Sequence, residues 1–271
     1  MSTDYEGVLG FLGYGNMGSA ILEGLVKLQV WPAERALIYD PSADRQLHAE
    51  KIGVAVAKSP VELAAKADIL VLAVKPQTMA EALAEIKPHL KPGVLIVSIA
   101  AGISTDYYLH RLGEGVRVVR VMPNTPCMAH AGAAGISLGA NALPADAELV
   151  KSLFDTIGIA EIIDEKHMDA LTALSGSGPA YFFYLVECLT DAAIDEGMDA
   201  HVARRLAEQT LYGAGRLLHS SEDNAAVLRE KVTSRGGVTE AALRQFREDG
   251  LPDMVRRAIR AAVDRSAALG Q

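Results

Sequence analysis

The sequence predicts an α/β chain in two parts, a doubly wound parallel sheet followed by an all-helical segment. Three observations predict it. Short, largely apolar runs alternate with helical patterns up to residue 164. A glycine-rich turn directly follows the first of those runs. From Glu165 onward strand signals almost vanish.

The elements follow in order. VLGFLG at 8–13 is a buried strand, and NMGSAILEGLVKLQ after the turn has helical spacing. ALIYD (36–40), VAVA (54–57), ILVLAV (69–74), VLIVSIA (94–100) and VRVVRVM (116–122) read as further strands, with helices at about 42–52, 60–66, 77–90 and 105–112 between them. Fully apolar strands separated by helices mark a parallel sheet covered on both faces. After GAAGISLG at 132–139 the pattern changes, and a helix at about 146–156 and the strand IAEIID at 159–164 close the first domain. Helices are expected at 166–174, 179–197, 200–219, 223–233, 237–248 and 252–268. The domains divide as 1–164 and 165–271, with no Pro-rich or Ser-rich linker to hold them apart.

Composition narrows the function classes. Of 271 residues half are apolar and 22% charged, which excludes a disordered chain. Aromatics make up only 5%, so the core is aliphatic. Lys plus Arg number 26 against 34 for Asp plus Glu, a net charge of −8 that argues against nucleic acid as a partner. Cys127 and Cys188 cannot build a disulfide framework, neither has a metal-ligand neighbour at the usual spacing, and the histidines are scattered. No metal is expected. The start, MSTDYEG, is acidic where a secretory signal would be basic and then apolar. Residues 121–145 and 170–186 are long and uncharged but broken by Pro and Gly, so no membrane span is expected and the cytoplasm is the expected compartment.

GYGNMG at 13–18 places Gly13, Gly15 and Gly18 as G-x-G-x-x-G, with Tyr14, Asn16 and Met17 between them. Following a strand and opening a helix, it reads as the phosphate-binding turn of a Rossmann-like domain. Gly13 permits the turn, Gly15 admits a pyrophosphate to the backbone, and Gly18 lets the helix lie on the strand. Three glycines of a purely structural turn are the plainer reading. Asp40 lies 22 residues after Gly18, where a carboxylate accepts from the ribose 2′-hydroxyl of NAD. Arg45, just beyond, would instead hold the 2′-phosphate of NADP, and Asp40 with Pro41 also fits a simple helix start. NADH and NADPH therefore both stay open. AVKP ends the fourth strand at the ligand crevice, so Ala73, Val74, Lys75 and Pro76 are candidate neighbours of the nicotinamide. MPNTP ends the sixth, and Asn124, held extended between prolines, is a further cofactor candidate.

Taken together, GYGNMGSA (13–20), AVKPQ (73–77), MPNTP (122–126), ALSGSGPAY (173–181) and SRGGVT (234–239) resemble the pyrroline-5-carboxylate reductase family over essentially the whole chain. The resemblance implies a Rossmann-like domain and a helical domain that interlocks into homodimers or larger assemblies. It places the active site between the cofactor domain and the dimerised helices. The reaction it implies passes hydride from NAD(P)H to C5 of a cyclic imine, the small-molecule substrate, giving L-proline. Ser234, Gly236, Gly237 and Val238 would hold the substrate carboxylate, Thr239 would stand as the catalytic hydroxyl near the imine nitrogen, and Glu222 would be an acidic neighbour. A glycine turn at a helix start suits a carboxylate on physical grounds too. Ser175, in SGSGP before Pro179, is a substrate candidate as well as an interdomain packing residue. The family turn is close to S-P-G-G-T-T, and here Arg235 replaces proline and Val238 a small residue. Hydroxyacid dehydrogenases of similar architecture need a catalytic lysine where this chain has Phe182. A related reductase of another imine or keto acid, and a cofactor-binding regulator without catalysis, are the competing readings.

Overall fold

A computed structural model describes residues 5–269, so the start of the N-terminal segment, Met1–Asp4, lies outside the described residues. The chain forms two compact units. The first takes in the chain up to Ser177 together with the segment from Ala262 onward, and the second is Gly178–Ala261.

In the first unit eight strands make one sheet: β1 (Leu9–Leu12), β2 (Ala36–Tyr39), β3 (Ala55–Val56), β4 (Ile69–Leu72), β5 (Leu95–Ser98), β6 (Arg117–Met122), β7 (Gly132–Leu138) and β8 (Gly158–Ile162). Between them run α1 (Asn16–Lys27), α2 (Ala43–Lys51), α3 (Pro60–Lys66), α4 (Met79–Ile86), α5 (Thr105–Leu112) and α6 (Pro144–Phe154), and α7 (Met168–Leu171) follows β8. The strand order is β3-β2-β1-β4-β5-β6-β7-β8. The order reverses beside β1, so the carboxyl ends of β1 and β4 open the crevice where such sheets take their ligands.

Both faces are buried. Ile69, Val71, Val97, Val119 and Val121 join one core cluster, while their neighbours Leu70, Leu72, Ile96 and Val118 join the other. That alternation explains why the strands read as continuous apolar runs. Helices start where the sequence provides caps: Ser59 accepts from Glu62 N–H at 3.2 Å, with Pro60 opening α3, and Ser104 accepts from Tyr107 N–H at 3.3 Å.

One departure from an all-parallel sheet is β7, which runs antiparallel to β6 in register Arg120↔Ser137 and Met122↔Gly135. The cause is chain length. Only residues 123–131 separate the two strands, too few for a parallel crossover.

The first unit also runs past the 164/165 division expected from sequence, because the following segment packs on this sheet. Glu165 reaches Thr105 and Arg120, and a Cβ on Gly135 would meet Leu171 Cδ1 at 2.4 Å. Asp169 accepts from Ser266 Oγ at 2.6 Å.

The second unit is helical, as the sequence predicts. It contains α8 (Gly178–Asp195), α9 (Ala200–Ser220), α10 (Ala225–Lys231), α11 (Val238–Glu248) and α12 (Leu251–Leu269) up to Ala261. Phe182, Phe183, Tyr184, Leu185 and Leu189 on α8 are exposed in the single chain.

Candidate active site

The glycine turn leaves β1 at Gly13, whose N–H donates to Tyr39 O at 2.8 Å. Gly13 has φ +96°, and a Cβ there would lie 2.8 Å from the backbone of Ala73. Only glycine fits. A Cβ on Gly18 would stand 2.7 Å from Gly13 O, so α1 starts directly on the turn. A Cβ on Gly15 would meet nothing nearer than Arg45 Nη1 at 3.8 Å, which leaves this side of the turn open. No side chain caps α1 and no acidic residue occupies its first turn. Its first N–H groups are therefore available to an anion, and the residues present fit a dinucleotide pyrophosphate. Asn16 is exposed at the helix start, while half-buried Met17 lies against the buried Cys127, thiol to thioether 3.6 Å.

Asp40 is only 8% exposed, and both its oxygens are engaged by backbone. Oδ2 accepts from Tyr14 N–H at 2.8 Å and Oδ1 from Ser42 N–H at 2.9 Å. The carboxylate is thus a clamp that ties the glycine turn to the end of β2. Arg45 lies across the mouth of the turn, donating through Nη1 to Tyr14 O at 2.6 Å and through Nη2 towards Asn16 Oδ1 at 3.5 Å. Tyr14, Ser19, Ser42, Asp44, Arg45 and His48 line an open pocket of about 480 Å³ there. The Tyr14 ring is buried beneath it, and burial with the nearby Glu23 raises its phenol well above the ordinary value.

AVKP runs beside the turn, with Ala73 N–H donating to Leu12 O at 2.8 Å. Ala73 and Val74 are half-buried, Lys75 is extended and exposed, and Pro76 starts a short 3-10 turn.

Asn124, a cofactor candidate from sequence, has its amide engaged within the protein. Nδ2 donates to Ser175 O at 3.1 Å and Oδ1 accepts from Ala133 N–H at 2.8 Å. The side chain instead joins MPNTP to β7 and to a π turn at Thr172–Gly176. Single π turns of this kind mark functional sites in many helices. Ser175 is half-buried there, its hydroxyl donating to Leu171 O at 3.2 Å. Gly176 makes its close approach inside the first unit, where a Cβ would meet Met122 Cε at 2.6 Å.

Sequence reasoning missed a buried polar layer beneath this edge. Arg120, 5% exposed, donates through Nη1 to Glu165 Oε1 at 3.1 Å, and Glu165 also accepts from Thr105 N–H at 2.8 Å and from Thr105 Oγ1 at 2.5 Å. Ser98 and Tyr108 hydroxyls pair at 2.5 Å, and the buried Tyr108 phenol is pushed up to about 12. The available signal was the second of the two arginines inside VRVVRVM, Arg120, since a buried charge demands a partner.

The remaining predicted residues lie in the second unit. Gly237 N–H donates to Ser234 O at 3.0 Å, Gly236 has φ +73°, and Gly237 leads directly into α11. A Cβ on Gly237 would fall 2.4 Å from Ser234 Oγ, which would have to rotate away, and 3.0 Å from Ser234 O; the position whose backbone favours glycine is Gly236. Glu240 reaches back to accept from Gly236 N–H at 2.7 Å. No side chain caps the start of α11, so the N–H groups of Val238 and Thr239 have no intrahelical partner. Val238 is 90% exposed, and Ser234, Arg235, Thr239 and Glu222 are exposed too. Among the described residues no cluster of three His, Cys, Asp or Glu could hold a metal.

Comparison with known proteins agrees with this architecture. Residues 8–102 match the NADP oxidoreductase, coenzyme F420-dependent family, and residues 165–269 the pyrroline-5-carboxylate reductase dimerisation family. A pyrroline-5-carboxylate reductase of Pseudomonas aeruginosa is 42% identical over 265 residues, 97% of each chain. A solved structure of a pyrroline-5-carboxylate reductase from Coxiella burnetii superposes with TM-score 0.93 at 34% identity, covering 98% of this chain and 100% of that one. The Plasmodium falciparum pyrroline carboxylate reductase, crystallised with NADP bound, gives 0.87 at 32% identity over 98% and 99%. Fold, glycine turn and family matches define a dinucleotide-dependent oxidoreductase. The relatives, aligned from end to end, narrow that class, and the chain belongs to the pyrroline-5-carboxylate reductase family.

Proposed function

We propose that the protein reduces 1-pyrroline-5-carboxylate to L-proline with NADPH. The observation that carries this is the end-to-end relationship at 42% identity, which spans both the glycine turn and the SRGGVT turn. The dihydronicotinamide supplies the hydride when the cofactor is bound. The chain's own residues bind and orient. The start of α1 and the backbone of Gly13–Gly18 hold the pyrophosphate, and Ala73, Val74, Lys75 and Pro76 flank the nicotinamide side. Ser234, Gly236, Gly237 and Val238 hold the substrate carboxylate, with Glu222 and Ser175 nearby in role. Thr239 hydrogen-bonds at the imine nitrogen and relays a proton from water. A protonated imine is already a good hydride acceptor, so orientation matters more than a strong acid.

NADPH rather than NADH follows from the two residues the sequence left balanced. Asp40 spends its oxygens on Tyr14 and Ser42 N–H, while Arg45 and Ser42 line the open pocket. Arg45 has five N–H donors and uses two, so three remain for a 2′-phosphate.

Residues 1–164 are read as the cofactor part and 165–271 as the dimerisation part, with α8 as the self-association face. No helix among the described residues is long and apolar enough to cross a membrane. The cytoplasm is the proposed compartment, in keeping with two free cysteines.

Purified protein given NADPH and pyrroline-5-carboxylate should consume NADPH and release proline in equal amounts. NADPH that is bound but never oxidised would refute the reading.

A further inference from the structure

One group in the cofactor pocket has no part in the account so far. His48 lies on α2 one turn beyond Arg45, lines the same pocket, and is held at Nε2 by Glu23 Oε1 at 3.0 Å. The same carboxylate oxygen accepts from Tyr14 O–H at 3.2 Å, and the Tyr14 and His48 rings lie 6.3 Å apart at 40°. We infer that His48 is the second cation of the 2′-phosphate pocket, and that its protonation sets how strongly the enzyme prefers NADPH over NADH. This rests on the reading of Arg45 and Ser42 as the 2′-phosphate side.

The groups facing His48 are Glu23 from α1, the neutral Tyr14 phenol from the glycine turn, and Asp44 and Arg45 from its own helix. Lys27 and Lys51, one turn further along the two helices, are exposed to solvent. With a neutral imidazole, the Arg45 guanidinium is the one cation lining the pocket, against Glu23, Asp44 and the Asp40 carboxylate already held by Tyr14 and Ser42 N–H, so a second cation strengthens the hold on a phosphate. A protonated imidazole supplies that second cation.

The hydrogen bonding gives the same answer atom by atom. A carboxylate only accepts, so Glu23 keeps the proton on Nε2. Nδ1 is then the nitrogen whose character changes. In the neutral ring it is a lone pair that repels phosphate oxygen, and in the charged ring it is a donor to it. Histidine is the side chain whose charge changes near neutral pH, so the selectivity becomes pH-dependent.

The test is the dissociation constants of NADPH and NADH for the full-length enzyme at pH 6 and pH 8, in wild type, His48→Gln, His48→Lys and Arg45→Ala. Acidification also protonates the 2′-phosphate of free NADPH, a term common to every variant, so the comparison is made between variants at each pH. The NADPH-over-NADH ratio of wild type should exceed that of His48→Gln by about fivefold at pH 6 and match it at pH 8. His48→Lys, with a fixed charge, should keep the high ratio at pH 8. If His48→Gln follows wild type at both pH values while Arg45→Ala lowers the ratio, the inference falls and the pocket assignment stands. If Arg45→Ala leaves the ratio unchanged, the assignment falls and the inference with it.

Discussion

Asp40 shows how a single residue can carry two readings until its hydrogen bonds are known. Its place after the second strand suits a ribose contact, but its oxygens face Tyr14 N–H and Ser42 N–H. The Tyr14 partner is set by tertiary folding, because it lies 26 residues earlier and periodicity does not reveal it, whereas the Ser42 N–H bond is a local turn two residues on. Asp40→Ala would strand two N–H groups, and each unmet buried donor costs about 1–3 kcal/mol. The variant should weaken NADPH and NADH alike in titrations, whereas a ribose contact would show as a loss confined to NADH. Arg45→Ala should raise the NADPH KM by about 10- to 100-fold through a lost charge-assisted contact, and leave NADH nearly unaffected. Thr239→Val should lower kcat more than it alters cofactor affinity, and an unchanged kcat would show that water alone delivers the proton. Asp68 gives a pH prediction. Burial works to raise its carboxyl, but hydrogen bonds from Lys91 and Val8 N–H outweigh that and leave it below the ordinary carboxylate value. A depressed carboxylate stabilises the fold at neutral pH, and that share is lost as pH falls through its folded value. Asp68→Asn should therefore melt earlier than wild type at pH 7, and the gap should close in acid.

Among the elements, the glycine turn with α1 is where sequence and structure agree most closely. The strand, the turn and the helix were legible because each glycine has a local steric reason: Gly13 at φ +96°, Gly18 against Gly13 O. Gly18→Ala would drive a methyl into that carbonyl, at a cost of about 1–3 kcal/mol. It should lower Tm by several degrees and raise the KM for NADPH, and a variant as stable as wild type would show that the helix can lift off the turn. The antiparallel β7 was less legible. GAAGISLG carries too little charge alternation to declare its direction, and the direction is set by the short 123–131 connection. The Arg120–Glu165 pair and the Asn124 bridge were hidden for a related reason. Their partners, Glu165 at 45 residues and Ser175 at 51, are far along the chain.

For the whole molecule, the net charge of −8 and the exposed apolar face of α8 point in different directions. The charge keeps copies apart, while Phe182, Phe183, Tyr184, Leu185 and Leu189 are too large an apolar set to leave in water. Burial in a second copy reconciles them, consistent with the dimerisation-family match over residues 165–269. Phe183→Glu should shift the protein towards monomer in sedimentation analysis, with the first unit still folded and still binding NADPH. On the proposed function, a net negative molecule holds an anionic cofactor and an anionic substrate with local donors, and the start of α1, Arg45 and the start of α11 are the proposed ones. The central claim is that these turns serve one reaction, hydride transfer to a cyclic imine carbon. Its most direct test supplies NADPH deuterated at the transferred position, together with pyrroline-5-carboxylate, and examines the proline formed by mass spectrometry and NMR. The account predicts one deuterium per proline, located at C5. Proline without deuterium, or cofactor oxidised with no proline formed, would contradict it.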